Sequence, residues 1–223
     1  FIAVPTTAGT GTEADPWTVI THEDEKIGFG DPSCTFPALS IVDPELMVSV
    51  PPQLTAFQGF DAFFHAAEGY IANVATPMSD LYALESIRLI AEYLPRAVAD
   101  GRDLEAREKV ALANTLSGMV ESTSCCISEH SLEHAMSGRH PELPHGAGLI
   151  MLSSAYFAHF AVLIPERFET MAQAMGGASF IEALLELQEA CGVHELKMSD
   201  YGIREDELKV IAKHARETMG FLF

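Results

Sequence analysis

The chain has 223 residues, 48% of them apolar, and carries 32 acidic against 13 basic side chains, for a formal net charge of -19 and an isoelectric point near 4.7. That length and apolar content suit one large globular domain or a domain with an appendage, while the acidity excludes the basic stripe that phosphate binding requires, so no nucleic-acid partner is expected. No apolar run is read as long enough to span a bilayer and the N-terminus lacks the zones of a signal peptide, which makes the cytoplasm the expected location.

In chain order, residues 1–50 are read as β-rich. "FIAV" opens the chain, the Gly/Thr loop "TTAGTGTE" follows, and "WTVITH" and "ALSIVDP" are strand candidates bounded by turn formers. A buried strand needs neighbours for its backbone, so an upstream portion is expected to precede residue 1. After Pro51 and Pro52 the apolar period becomes 3.6 residues. Helices are predicted over 53–73, over 79–94 with Pro95 as its stop, and over 103–123 with Asp103 as N-cap. Further helices are predicted at about 127–138, 146–162, 165–175, 179–191 and 205–219. The fold class expected is mainly α: residues 1–50 as a β-rich remnant of a dinucleotide-binding domain, and 51–223 as an all-α metal-binding domain cut short at its C-terminus. Charge runs such as "HEDEK" (22–26) and "REDELK" (204–209) are read as solvated faces or loops. The four cysteines, Cys34, Cys125, Cys126 and Cys191, show no CxxC spacing and are read as reduced, core-filling thiols.

Two stretches carry the chemistry. In "GFDAFFHAAEGY" Asp61 and His65 stand at i and i+4, on one face of a helix whose other residues are mostly apolar, so the carboxylate is either paired with the imidazole or holds a cation. In "EHSLEHAMSGRHPELPHG" (129–146) fall four of the nine histidines: His130, His134, His140 and His145. His145, between Pro144 and Gly146, opens a predicted helix, whose N-terminal partial charge should keep the ring neutral. One oxygen and three nitrogens suit Fe(II), Zn(II) or a similar first-row ion. Spacing leaves open which two of the later histidines join Asp61 and His65, since His130 and His134 are themselves a chelating pair.

Five ordered segments, "PTTAGTGTE" (5–13), "IVDPEL" (41–46), "GFDAFFHAAEGY" (59–70), "TPMSDLYALESIRLI" (76–90) and "HSLEHAMSGRHPELPHG" (130–146), resemble consecutive motifs of the iron-containing, group III alcohol dehydrogenases. The resemblance implies Asp61, His65, His130 and His145 as metal ligands, His134 as a substrate-side residue able to relay a proton, and His140 as a loop residue facing water. It implies a dehydroquinate synthase-like architecture for the whole protein. It also implies NAD or NADP as cofactor, with Thr6, Thr7, Gly9 and Thr10 along the dinucleotide and Lys26 near the nicotinamide ribose. The interval from His134 to His145 holds ten residues, where the family pattern more usually has nine.

The function expected is therefore a metal-dependent, NAD(P)-linked interconversion of an alcohol with an aldehyde or ketone, by a homo-oligomer, a dimer, of the full-length protein, with this chain as a fragment. A metal-dependent hydrolase could use the same ligands without needing the Gly/Thr loop. A non-catalytic all-α domain would hold a purely structural ion.

Overall fold

The computed structural model describes residues 1–218. Residues 219–223, where the last predicted helix was to end, lie outside the described residues. The mainly α class is what the structure shows, with few strands among eight α-helices in the described residues.

The first fifty residues form two small β pairs. β1 (Ile2–Ala3) lies parallel to β4 (Leu39–Ser40), so "FIAV" and "ALSIVDP" contribute only two ladder residues each. β2 (Trp17–His22) pairs antiparallel with β3 (Glu25–Gly30), from Trp17 opposite Gly30 to His22 opposite Glu25. "HEDEK" is a solvated hairpin end, as expected of a charged face or loop, but its two ends are strand: only Glu23 and Asp24 turn, and Glu25 and Lys26 belong to β3. Charge masked the strand because its side chains lie on an open hairpin, where alternation of apolar and polar residues is not enforced.

The helical body begins with α1 (Pro52–Ile71), whose first-turn proline costs no hydrogen bond. α1 is nearly encased by α2 (Pro77–Ala99), α3 (Leu104–Thr123), α5 (His145–Leu163) and α6 (Pro165–Ala174). One of its faces feeds an aromatic core. Phe64 stacks on Phe157 at 5.8 Å between ring centroids, Phe63 on Phe180 of α7 (Phe180–Ala190) at 6.0 Å, and Phe168 meets Phe180 edge-on at 5.2 Å. Each of these buried rings contributes about 1.5–3 kcal/mol. α4 (Ser128–Arg139) packs against α5, β3 and α8 (Leu208–Thr218).

Three expectations about the body are corrected. Pro95 does not end α2, which runs on to Ala99, because Ala97 is fully buried and Arg96 is held by Asp103 and Glu105 at 2.6 to 3.2 Å. Residues 146–165 contain no Asp, Glu, Lys or Arg, so an uncharged run of membrane-spanning length does exist, and α5 is long and apolar enough to cross a bilayer. Its buried residues Ala147, Leu149 and Phe157 serve the core instead. Of the cysteines only Cys191 is buried; Cys34 is exposed and Cys125 and Cys126 are half-buried at the end of α3, where loop geometry rather than apolar filling decides their place.

The Gly/Thr loop is docked on α3. The Gly11 amide donates to Asn114 Oδ1 at 3.0 Å, and Asn114 Nδ2 and Thr115 Oγ1 donate to Glu13 Oε1 at 2.9 and 2.7 Å. Gly11 has φ of 64°, and its backbone lies so near Gly118 that a Cβ on Gly118 would fall 2.2 Å from the Gly11 carbonyl oxygen. Gly118→Ala should therefore lower stability by about 1–3 kcal/mol through overpacking, read as a lower thermal midpoint with unchanged helical circular dichroism. An unaltered midpoint would show that the loop is not seated on α3.

Candidate metal centre

α1 presents two faces of opposite chemistry. Beside the aromatic face stand Asp61, His65 and Glu68, at i, i+4 and i+7, all nearly inaccessible to solvent. α4 brings His130, Glu133 and His134 to meet them, and the first residue of α5 is His145.

The four residues proposed as ligands converge on one atom. Asp61 Oδ1 lies 3.5 Å from His65 Nε2, 3.4 Å from His130 Nε2 and 3.3 Å from His145 Nε2. Four donors about 2.0–2.1 Å from a tetrahedral ion sit about 3.3–3.4 Å apart. The three separations from Asp61 Oδ1 match that spacing, and the ligand atoms of Asp61, His130 and His145 all lie within 4.8 Å of one another, so these donors fit a first-row divalent cation, with His65 joined to them through Asp61. The ten-residue interval between His134 and His145 is absorbed by the bend at 140–144, and His145 reaches the cluster.

Two carboxylates behind the cluster aim the rings. Glu68 Oε2 is the close partner of His130 Nδ1, and Glu133 Oε2 that of His145 Nδ1. Glu68 is itself fixed: its Oε1 accepts from the amides of Ile127 and Glu129 at 3.2 and 2.8 Å, at the start of α4. A carboxylate on Nδ1 sets the tautomer that leaves Nε2 with a lone pair for a cation.

These contacts also set the charges. Burial opposes ionisation of Asp61, but His65 and His145 outweigh it and hold the carboxyl well below the usual range. Burial pushes His65 down to about 3 against the pull of Asp61. Burial would lower His145 too, yet Glu133 and Asp61 lift it to about 9. The expectation that the helix N-terminus keeps this ring neutral is overturned, because two carboxylates within contact distance outweigh a partial helix charge. Cation and proton therefore compete for the same nitrogen.

A cavity of about 350 Å³ opens beside the cluster. All four proposed ligands line it, as do His134, Lys26 and Thr10, whereas Thr6, Thr7 and Gly9 do not. Gly9 approaches α1 instead; a Cβ there would fall 2.9 Å from that of Gln58. His134 has its ring centroid 5.3 Å from that of His145, and burial first, then the neighbouring imidazoles and Lys26, keeps its pKa well below the usual imidazole range. His140, expected in water, is half-buried with Nε2 3.4 Å from Glu207 Oε2, because the short helical turn at 205–207 packs over the end of α4.

Sequence reasoning missed Glu68, Glu133, Asp15, Glu121 and the placement of Cys125 and Cys126. Glu68 and Glu133 carried a usable signal, an acidic residue three positions after a candidate ligand in a largely buried helix. Asp15, Glu121, Cys125 and Cys126 line the cavity with Trp17 only because the loop, the hairpin and the end of α3 meet there. Glu121 is pushed up to about 8 by burial first and then by the charge of Asp15, and Asp15 is pushed up to about 7 by burial first and then by the charges of Glu13 and Asp61.

Residues 55–221 match the Fe-containing alcohol dehydrogenase family, C-terminal, and residues 1–44 match the iron-containing alcohol dehydrogenases. The chain is 36% identical to the NAD-dependent methanol dehydrogenase of Bacillus methanolicus, over 97% of this chain and 59% of that protein. It is 34% identical to the 1,3-propanediol dehydrogenase of Klebsiella pneumoniae, over 96% of this chain and 58% of that protein. Its structure superposes on an archaeal halo-thermophilic Red Sea brine pool alcohol dehydrogenase bound to NZQ with a TM-score of 0.93 at 32% identity, covering 99% of this chain and 59% of the other. The chain thus spans about three-fifths of the length of the relatives it matches.

If the Glu133 carboxylate orients His145, Glu133→Gln should weaken divalent-cation binding roughly 10–100-fold, measured by calorimetric titration of the metal-stripped chain with Mn(II) or Co(II). Unchanged affinity would remove Glu133 from the centre.

Proposed function

The chain belongs to the iron-containing alcohol dehydrogenase family, and from that footing we propose that it forms the metal centre and part of the nicotinamide site of an NAD(P)-linked enzyme interconverting an alcohol with an aldehyde or ketone. The observation that carries the reading is the convergence of three imidazole nitrogens on one buried carboxylate oxygen at the wall of a cavity. An open cavity beside the donors favours a catalytic over a purely structural ion.

Asp61, His65, His130 and His145 would hold the ion, an oxygen and nitrogen set that suits several first-row divalent ions, and the iron-containing family favours Fe(II) among them. When bound, such an ion supplies Lewis acidity at the alcohol oxygen, and the nicotinamide supplies the hydride acceptor. The protein's own residues do the rest. The helices α1 and α4 keep the donors out of bulk water, and Glu68 and Glu133 keep His130 and His145 facing inward. His134, neutral at physiological pH, would accept the hydroxyl proton and pass it toward solvent. Lys26 and Thr10 place a cation and a hydroxyl on the cavity wall, groups suited to ribose and phosphate oxygens. Thr6, Thr7 and Gly9 would act along the dinucleotide outside the cavity. The four unpaired thiols support a cytoplasmic setting, and the family resemblance supports a homo-oligomer, a dimer, for the full-length protein.

Metal analysis after dialysis should show near-stoichiometric divalent ion in the wild type and a small residue in Asp61→Ala and His130→Ala. Equal content in all three would sink the ligand assignment. In the holoenzyme His134→Gln should keep its metal while losing roughly 10²–10⁴-fold in alcohol-dependent NAD(P) reduction. Full activity across pH would remove the proton relay and leave the ligands standing.

A further inference from the structure

We propose that the histidine cluster contains a second, overlapping cation position, in which Cys126 joins His65 and His130, and that it takes a thiophilic divalent ion such as Zn(II) or Cd(II). One ligand atom each from His65, Cys126 and His130 lie within 4.8 Å of one another. The two imidazoles stack with centroids 4.5 Å apart, so a side chain beside one is within reach of both. Cys126 lies in the short segment between α3 and α4 and lines the cavity.

The thiol has a polar partner within the cavity wall. Cys126 Sγ donates to Glu121 Oε1 at 2.6 Å, and the same oxygen is 3.2 Å from His65 Nε2. Cation binding breaks the S–H bond and forms a sulfur-to-metal bond; the proton leaves through the cavity to water, with no change of oxidation state. A coordinating cation deprotonates a thiol outright, and thiolate is the ligand that selects soft ions. The proposed iron position uses Asp61 and His145 and has no sulfur, whereas this one has sulfur and neither Asp61 nor His145. Because both use His65 and His130, filling one excludes the other. The position rests on the metal-centre reading through those two histidines, and it makes a thiophilic ion an antagonist of the catalytic one.

The test is titration of the metal-stripped chain with Cd(II), and separately with Co(II), following thiolate-to-metal charge-transfer absorption in the near ultraviolet. Wild type, Cys125→Ser and Asp61→Asn should develop the band with one thiolate per ion; Cys126→Ser should lack it and bind Cd(II) roughly 10–100-fold more weakly. No band in the wild type, or a band undiminished in Cys126→Ser, overturns the proposal. If Cys126→Ser does not fold, alkylation of the wild-type thiols mapped by mass spectrometry decides: Cd(II) must protect Cys126, and failure to protect it overturns the position. A band in the chain, with a full-length holoenzyme that is inactive toward alcohols with NAD(P), would uphold the position and count only against the dehydrogenase reading.

Discussion

A carboxylate cannot lie buried among apolar helices unless something compensates its charge, and the polar interior of this protein is organised around that requirement at Asp61. Its side chain is 7% exposed, and three imidazole nitrogens face one of its oxygens at nearly equal distances. Two of those rings are backed by further buried carboxylates, Glu68 and Glu133. The arrangement places negative charge around a point that a divalent cation would neutralise; His130 and His145 are drawn toward cationic character, while burial keeps His65 neutral. Charge balance, tautomer and aim are thus one problem with one solution.

Rigid elements make the solution possible. α1 carries ligands on one face and phenylalanines on the adjoining one, so the same packing that stabilises the helix also fixes Asp61 and His65 in depth and rotation. The start of α4 is tied to α1 through Glu68, which couples the placement of His130 to that helix. The Gly/Thr loop reaches the cavity because its glycines permit backbone contact with α3 and α1. The hairpin, seated on α4 beside Gly138, delivers Lys26.

The body of the fold was legible because burial imposes a 3.6-residue period on helices, and the predicted helices fell close to the observed ones. It was least legible at ends and edges. Pro95 reads as a stop by local rules, yet tertiary contacts at Ala97 and Arg96 carry α2 past it. The start of β3 reads only as part of a charged face or loop, because an open hairpin does not enforce alternation. The uncharged run over 146–165 was overlooked because Ser153, Ser154 and His159 interrupt its apolar character without adding charge.

For the site, the sequence by itself determined the cast. A 4-residue spacing puts Asp61 and His65 on one helical face whatever surrounds them, and ordered motifs nominated His130, His134 and His145. Only tertiary structure decided the roles of groups brought together from distant segments. Glu121, Cys126 and Asp15 meet in the cavity wall, His140 turns to Glu207, and Glu133 overrides the helix dipole at His145. Periodicity along one helix is a local property, written in the order of residues. Electrostatics and coordination depend on separations of 3 to 4 Å between different helices, and those are set by packing that no local pattern encodes.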